Sequence, residues 1–447
     1  MRAIPVLVVV LLVSAGVGGA FAAPERGGSA GGAAVGPSTS PAVGPPGASA
    51  SAPETAVAAI NGSAPIRVLS LGGNGSVASG TDVVTVDAGT ATAFGANASA
   101  ERIETIALRK RVTNATTNDE RQIRILDGLN EVDKEVVTLH SRHREAIAAY
   151  HAGELSASEF LVELARIRVS AAVLEERVLM LERLAEGTDD FTLDDSRIYP
   201  VVYDLRTFDG PVRSRTAAAL GGDPGASTRV YVATTESGIV LSTVADGQFV
   251  REAFRGDLRE RDGTGIDEET AQNVTSRSYP EVWAATGGSV AGQGSGGTFL
   301  FDLAYPNGTL TAFVGGGAER VFMERQRVDL DAVSPGESTT RTLDLTLTVN
   351  RTFPGGPLRV AVTDPRTGES VDAVVKIGRE GGESVDVGTT GDDGVLWTVS
   401  PRGEFVVTVV EVGSTEVSTI SVTPTDPVTV EGAFDSSDGT GSRNASG

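Results

Sequence analysis

The chain has no cysteine, and histidine and lysine occur only three times each in 447 residues. Without cysteine there is no disulfide to hold the fold, no thiolate nucleophile or metal ligand, and no thiol to which a lipid can be joined. The three histidines, His140, His143 and His151, fall within one short stretch. A Ser-His-Asp arrangement would have to recruit one of them from a distance, and no G-x-S-x-G elbow accompanies them. His140 and His143 are spaced i, i+3, which can turn two imidazoles toward one ion. No third ligand is evident, however, and His143 falls on an apolar seam. We read all three as structural or surface residues and assign no metal, no cofactor and no catalytic residue. Long apolar runs are also missing beyond the first residues. Nothing later in the sequence reaches the roughly 20 residues that a bilayer-spanning helix needs.

Basic charge is short as well. Lysine and arginine total 37 against 59 aspartates and glutamates, a formal net charge of −22, and only Lys110, Lys134 and Lys376 are lysine. With no basic patch to displace phosphate counterions, nucleic acid is excluded as a partner. The composition resembles that of proteins from extreme halophilic archaea. At about 1 M salt the Debye length is roughly 3 Å, so repulsion among carboxylates is screened while they keep the surface hydrated.

What is present begins with MRAIPVLVVVLLVSAGVGGAFAAPE. One arginine precedes an apolar stretch from Ile4 to about Val13, and small residues then lead to Ala20-Phe21-Ala22. This is the pattern of a secretory signal peptide, residues 1–22, and its apolar core is too short to remain as an anchor. Removal leaves an exported chain without a transmembrane segment. Asparagine is the second feature. Eight of ten asparagines, namely Asn61, Asn74, Asn97, Asn114, Asn273, Asn307, Asn350 and Asn444, stand in N-x-Ser/Thr triplets. With Ser and Thr at about a fifth of all residues, chance gives about two. In an exported chain these are expected acceptors for N-linked glycan.

Residues 23–60 are Gly, Ala, Pro and Ser with almost no large apolar side chain, and they predict a disordered linker, as does the tail 435–447. Residues 61–187 predict small β elements and a helical hairpin. "IRVLSL" and "DVVTVDAG" read as short strands and "SAERIETIALRKRV" as a helix capped by Ser99. Ile125, Leu129, Val132, Val136, Leu139, His143, Ala146 and Tyr150 then follow alternating spacings of four and three. Phe160, Leu164, Ile167, Ala171, Leu174, Val178, Leu181 and Ala185 repeat that rhythm. Spacing that averages 3.5 keeps one seam against a partner helix, so an antiparallel coiled-coil hairpin is expected, with Gly153 at the reversal. Thr117-x-x-Glu120 and Ser156-x-x-Glu159 match the capping box. The seam also permits self-association with a second copy.

Residues 196–331 predict an α+β domain: strands at "RVYVATT", "GIVLSTV" and "QFVREAF", a helix ending at Pro280, a hairpin across Pro306-Asn307-Gly308, and a last strand at "RVFMERQRVDL". The order of helix and hairpin over 265–330 resembles the small PepSY-type modules of exported proteins. Residues 342–434 carry seven alternating apolar runs, LTLTVN, LRVAVTD, DAVVKIG, SVDVGTT, GVLWTVS, EFVVTVV and VSTISVT, which predict an immunoglobulin-like β-sandwich. Within them, TDPRTGESVDAVVKI, TTGDDGVLWTV and the Pro401, Gly403, Phe405 step resemble the carboxypeptidase-regulatory-like, transthyretin-like sandwich. That resemblance implies a spacer or binding module with no catalytic residues. The fold class expected is therefore multidomain α+β, joining hairpin, central α+β domain and sandwich.

Other chemistry is thinly supported. Asp189, Asp190, Asp194 and Asp195, and the Asp392-Asp393 turn, are expected to be solvated, since paired acids need burial to work in glycoside hydrolysis. The turn also lacks the full D-x-D-x-D-G calcium loop. "GGNGSVASG" has no P-loop lysine. The expectation is a non-enzymatic, exported glycoprotein of a halophile, envelope-associated, with a structural, interaction or adhesion role. Its partner would be an envelope or extracellular protein, or a cell-surface glycan. A regulator or inhibitor of an exported enzyme, as the PepSY resemblance implies, and an acid-pair hydrolase are the alternatives.

Overall fold

The structure, a computed structural model, describes residues 67–72, 76–86, 88–259, 265–287, 290–295, 297–333, 336–342 and 344–430. The chain divides into two compact units, 1–58 and 59–447, and every described residue lies in the second. The signal peptide, the 23–60 linker and the 435–447 tail lie outside the described residues.

The first elements are β1 (Arg67–Val68), β2 (Ala78–Val84) and α1 (Ala88–Thr113), followed by α2 (Asn118–His151) and α3 (Ala157–Glu186). Helices α2 and α3 form the hairpin, and all sixteen seam residues named above are buried. Ser156 and Glu159 complete a capping box at the start of α3, while Thr117 accepts from the Glu120 N–H at the start of α2. The hairpin is not solitary. Helix α1 lies against it, with Leu108 and Val112 buried among Ile125, Leu129, Leu174 and Leu181. This corrects the Ser99 cap. Helix α1 begins at Ala88 because AGTATAFGANASA is rich in alanine, the best helix former, and Phe94 anchors it in the core. Ser99 is interior, donating its hydroxyl to Gly95 O at 2.8 Å.

Two further helices, α4 (Asp195–Arg206) and α5 (Pro211–Leu220), precede the strands. Neither is among the elements expected for 196–331, where the sequence predicts strands and a single helix ending at Pro280. Asp194 caps α4 by accepting from the Ser196 N–H at 2.7 Å, and Pro211 opens α5, where a missing N–H costs nothing.

An eight-stranded antiparallel sheet follows, built from β2, β3 (Thr228–Thr234), β4 (Gly238–Ala245), β5 (Gln248–Arg255), β6 (Ala291–Ser295), β7 (Thr298–Tyr305), β8 (Gly308–Gly315) and β9 (Arg320–Asp329). Its order is β2-β3-β4-β5-β9-β8-β7-β6. Helices α6 (Glu268–Ser278) and α7 (Pro280–Ala285) connect β5 to β6. The two-residue period of a strand sends neighbours to opposite faces. Val230, Val232, Ile239 and Leu241 meet Ile147, Phe160 and Leu164 of the hairpin, whereas Tyr231, Ala233 and Val240 lie on the other face with Ala271 and Tyr279. Strands covered on both faces read as continuous apolar runs, which is how β3 and β4 appear in the sequence.

The sandwich comprises β10 (Gly336–Arg341), β11 (Thr346–Arg351), β12 (Pro357–Thr363), β13 (Ala373–Gly378), β14 (Ser384–Thr389), β15 (Val395–Val399), β16 (Phe405–Glu411) and β17 (Val417–Val422). One sheet runs β10-β11-β12-β15 and the other β14-β13-β16-β17. Leu347, Val349, Val360, Val375, Val407 and Val409 alternate inward to form its core. A final short strand, β18 (Val428–Thr429), returns to pair in parallel with β1.

Candidate functional site

The sandwich is seated on the sheet face opposite the hairpin, through β15 against β3 and β4. Gly355 makes the approach close. Its φ of +75° suits glycine, and a Cβ there would sit 2.5 Å from the Tyr231 ring. Ser242 Oγ donates to Gly355 O, and Arg229 Nη2 donates to Asp386 O at 2.8 Å, tying β3 to β14.

Two clefts flank this seat, and Tyr231 and Arg402 line both. The larger, about 420 Å³, lies beneath the returning segment 423–427 and reaches Arg251 and Phe353. The other, about 310 Å³, opens between the β2 edge at Ser79, Gly80 and Thr81 and one end of the sandwich. Its apolar lining is Ile377, Val385, Val387, Val399 and Phe405. Val385 stands opposite Ile377 across β13 and β14, on the side that faces the sandwich core, yet it is 55% exposed. The polar lining holds Arg229, Arg379 and Arg402 against Glu383 and Glu404. In a chain where acids outnumber bases 59 to 37, this lining has the reverse balance. Burial lowers the pKa of the Arg229 guanidinium, opposed by Asp82 and Asp386. The Tyr231 phenol, raised by burial, bonds with Ser79 and Arg402. Arg379 and Arg402 form no ion pair among the described residues. Such an arrangement can hold an anionic group beside an apolar one.

Buried charge elsewhere fastens layers together. Strand β5 sends Arg251 to one face and Glu252 to the other. On the sandwich side Arg251 pairs with Glu324, whose Oε2 accepts from Tyr279 Oη at 2.6 Å and from the Leu69 N–H at 2.8 Å. On the hairpin side Glu252 lies 2.9 Å from Arg213 Nε and against the backbone of Gly210, at the start of α5. Burial pushes the Glu252 carboxyl up despite Arg213.

His140 and His143 take structural places near Arg213, and His151 lies at the C-terminal end of α2. His140 Nε2 meets Asp204 Oδ2 at 2.8 Å, and His143 is buried edge-on between Phe208 and Phe254. His151 Nδ1 donates to Thr234 O at 3.3 Å. Of the sequon asparagines, Asn97 on α1, Asn114 after it and Asn273 on α6 are exposed. Asn307 in the β7–β8 turn and Asn350 on β11 are half-buried, and Asn350 Oδ1 accepts from Arg359 Nη1 at 3.2 Å. Asn61, Asn74 and Asn444 lie outside the described residues. Asp194 is engaged as a cap, and Asp393 accepts from the Val395 N–H at 3.1 Å. Among the described residues no three His, Asp or Glu side chains are grouped to hold a metal ion, and no helix is long and apolar enough to cross a membrane.

Sequence reasoning missed the clefts because their walls come from segments far apart in the chain, four of them at the smaller cleft. One trace was visible: of the Pro401, Gly403, Phe405 step, noted for its resemblance, Pro401 and Phe405 line the smaller cleft and Gly403 the larger.

Comparison with known families finds three matches. Residues 1–225 match a domain of unknown function (DUF7096), residues 230–334 a family of unknown function (DUF7094), and residues 337–419 an archaeal fibronectin-III type-like domain. The C-terminal sandwich is thus similar to an immunoglobulin-like archaeal domain, under a different family name from the one its turns suggested. No curated protein and no solved structure matches the chain.

Proposed function

The chain belongs to the DUF7096 family, whose model covers 225 of its 447 residues, and we propose that it is a non-enzymatic, exported, glycosylated protein of a halophilic archaeon. In this reading it works at the cell envelope by interaction, with an extracellular protein or a surface glycan as partner. The observation that carries the reading is the placement of eight of ten asparagines in sequons behind a signal-peptide pattern. The exposure of Asn97, Asn114 and Asn273 supports it, because an acceptor amide must be reachable. A sandwich similar to fibronectin-III type domains, and clefts lined by hydrogen-bonding and apolar groups, favour a binding role.

Intact-mass measurement of the protein isolated from its own host tests this. The expected species lacks residues 1–22 and is heavier than its polypeptide by discrete carbohydrate increments. A mature chain of unmodified mass overturns the glycoprotein reading, and a full-length chain found inside cells overturns export.

A further inference from the structure

We propose that the 310 Å³ cleft at the sheet–sandwich junction captures the C-terminal residue of an extended peptide, one that ends in an apolar side chain beside its free carboxylate. The proposal rests on the interaction role put forward above and names the chemistry of its partner.

Three features of the cleft converge. First, its floor is the open end of the sandwich, where Ile377, Val399 and Phe405 are almost fully buried but Val385 leaves an apolar surface uncovered. Removing apolar surface from water is favourable, so an exposed valine facing a core is a place for an apolar group from elsewhere. Second, the polar wall is arginine-rich. A guanidinium fork matches a carboxylate, and Arg379 and Arg402 have no ion pair among the described residues to compete for it. Arg402 is also oriented by the Tyr231 phenol beneath it. Third, the opposite wall is Ser79–Thr81 of β2, the edge strand of the eight-stranded sheet, which among the described residues pairs only with β3. An unpaired strand edge offers main-chain N–H and C=O groups to an incoming extended backbone. Apolar floor, carboxylate-binding wall and strand edge together match a peptide terminus better than a sugar, which has no backbone to pair. Glu383 and Glu404 stand at the same cleft and select against ligands carrying several negative charges. Glu404 is engaged already, accepting from Ser421 Oγ at 2.8 Å.

The volume sets the size of the bound portion. Ligand pockets run from about 300 Å³ upward, so this one admits a terminal residue and part of the next rather than a folded domain.

Labelled five-residue peptides ending in valine, leucine, phenylalanine or aspartate, each as free acid and as C-terminal amide, are titrated by fluorescence polarisation into the full chain. Expected is saturable binding of the apolar free acids, weakened at least about tenfold by amidation, a tenfold change being 1.4 kcal/mol, and by a terminal aspartate. The double variant Arg379→Ala/Arg402→Ala should lose binding to the same degree while unfolding at the parent temperature. Arg366→Ala, outside the cleft, should bind like the parent. Equal binding of acid and amide, unchanged binding by the double variant, or no binding of any peptide by folded protein overturns the proposal. Free valerate or phenylpropionate binding as tightly as the peptides overturns the peptide assignment in favour of a small acid. The readout is independent of carbohydrate and export. A chain of bare mass that still binds removes the glycoprotein reading alone, and a glycosylated chain that does not bind removes this inference alone.

Discussion

His143 illustrates how a single buried group sets a pH response. Its ring lies between Phe208 and Phe254, its Nε2 has no hydrogen-bond partner, and the guanidinium groups of Arg213 and Arg259 face it along with His140. Burial first, then those charges, holds its pKa well below 6.5. The unfolded chain therefore takes up a proton before the folded chain does. Stability from this group is complete above pH 6.5 and declines by about 1.4 kcal/mol per pH unit below it, until the folded pKa is reached. Glu252 and Glu101, both raised by burial, act in the opposite sense above pH 4.5, so a variant comparison is needed. Denaturant unfolding at pH 7.5 and pH 5.5 should show the parent losing about 1 kcal/mol more than His143→Leu. Identical losses would mean that His143 titrates normally in the folded chain. Asn350 does not titrate, but it too is engaged in the folded chain. Its carboxamide already serves Arg359, which sequence spacing could not reveal.

Among the helices, spacing spoke clearly where a seam repeats and poorly where burial is one-sided or long-range. The sixteen hairpin positions were legible because a 3.5-residue rhythm has no other economical explanation. The seven sandwich runs were legible for the same reason at period two, and all seven became strands, with β10 added at the edge. The N-terminal half of α1 and α5 were not, since their small residues carry weak periodicity, nor was α4, where Pro200 interrupts a helical spacing of Ile198, Val202 and Leu205. No local pattern shows that β2 pairs with β3, Ala78 opposite Thr234, across the whole helical insertion. The junction cleft depends on that pairing and was illegible with it. Two glycines test the resulting helical packing in opposite directions. Gly95 lies within α1, exposed, and a Cβ added there would meet nothing within 4 Å, so Gly95→Ala should stabilise by about 0.5–1 kcal/mol. Gly128 lies where three helices meet, and a Cβ there would stand 3.2 Å from both Leu108 and Leu181. Gly128→Leu should destabilise by about 1–3 kcal/mol or more by forcing α1 away from the hairpin. Thermal unfolding of the two variants checks the contrast, and a neutral Gly128→Leu would show that α1 is only loosely held.

For the chain as one charged body, the question is whether salt strengthens or weakens it. Salt screens both repulsion among excess carboxylates and attraction within ion pairs. The pairs that matter most to the fold, Arg213–Glu252 and Arg251–Glu324, are buried and shielded from mobile ions. Exposed pairs such as Arg111–Glu131 contribute about 0–1 kcal/mol each at most. Repulsion from a net charge of −22 is spread over the surface and is the larger screenable quantity. Its local form is visible at the sandwich edge, where Asp344, and more weakly Glu411, raise the pKa of Glu416. Going from 0.1 M to 1 M NaCl shortens the Debye length from about 10 Å to about 3 Å. The melting temperature should therefore rise steadily over that range. Glu416→Gln should melt higher than the parent at 0.1 M, and its advantage should shrink by about half or more at 1 M, because salt then does what the substitution did. A sucrose series run alongside separates screening from general solute exclusion, since sucrose should raise parent and variant equally. A melting temperature that falls with NaCl would mean that exposed ion pairs outweigh the net charge, and the acidic surface would then need an explanation other than tolerance of brine.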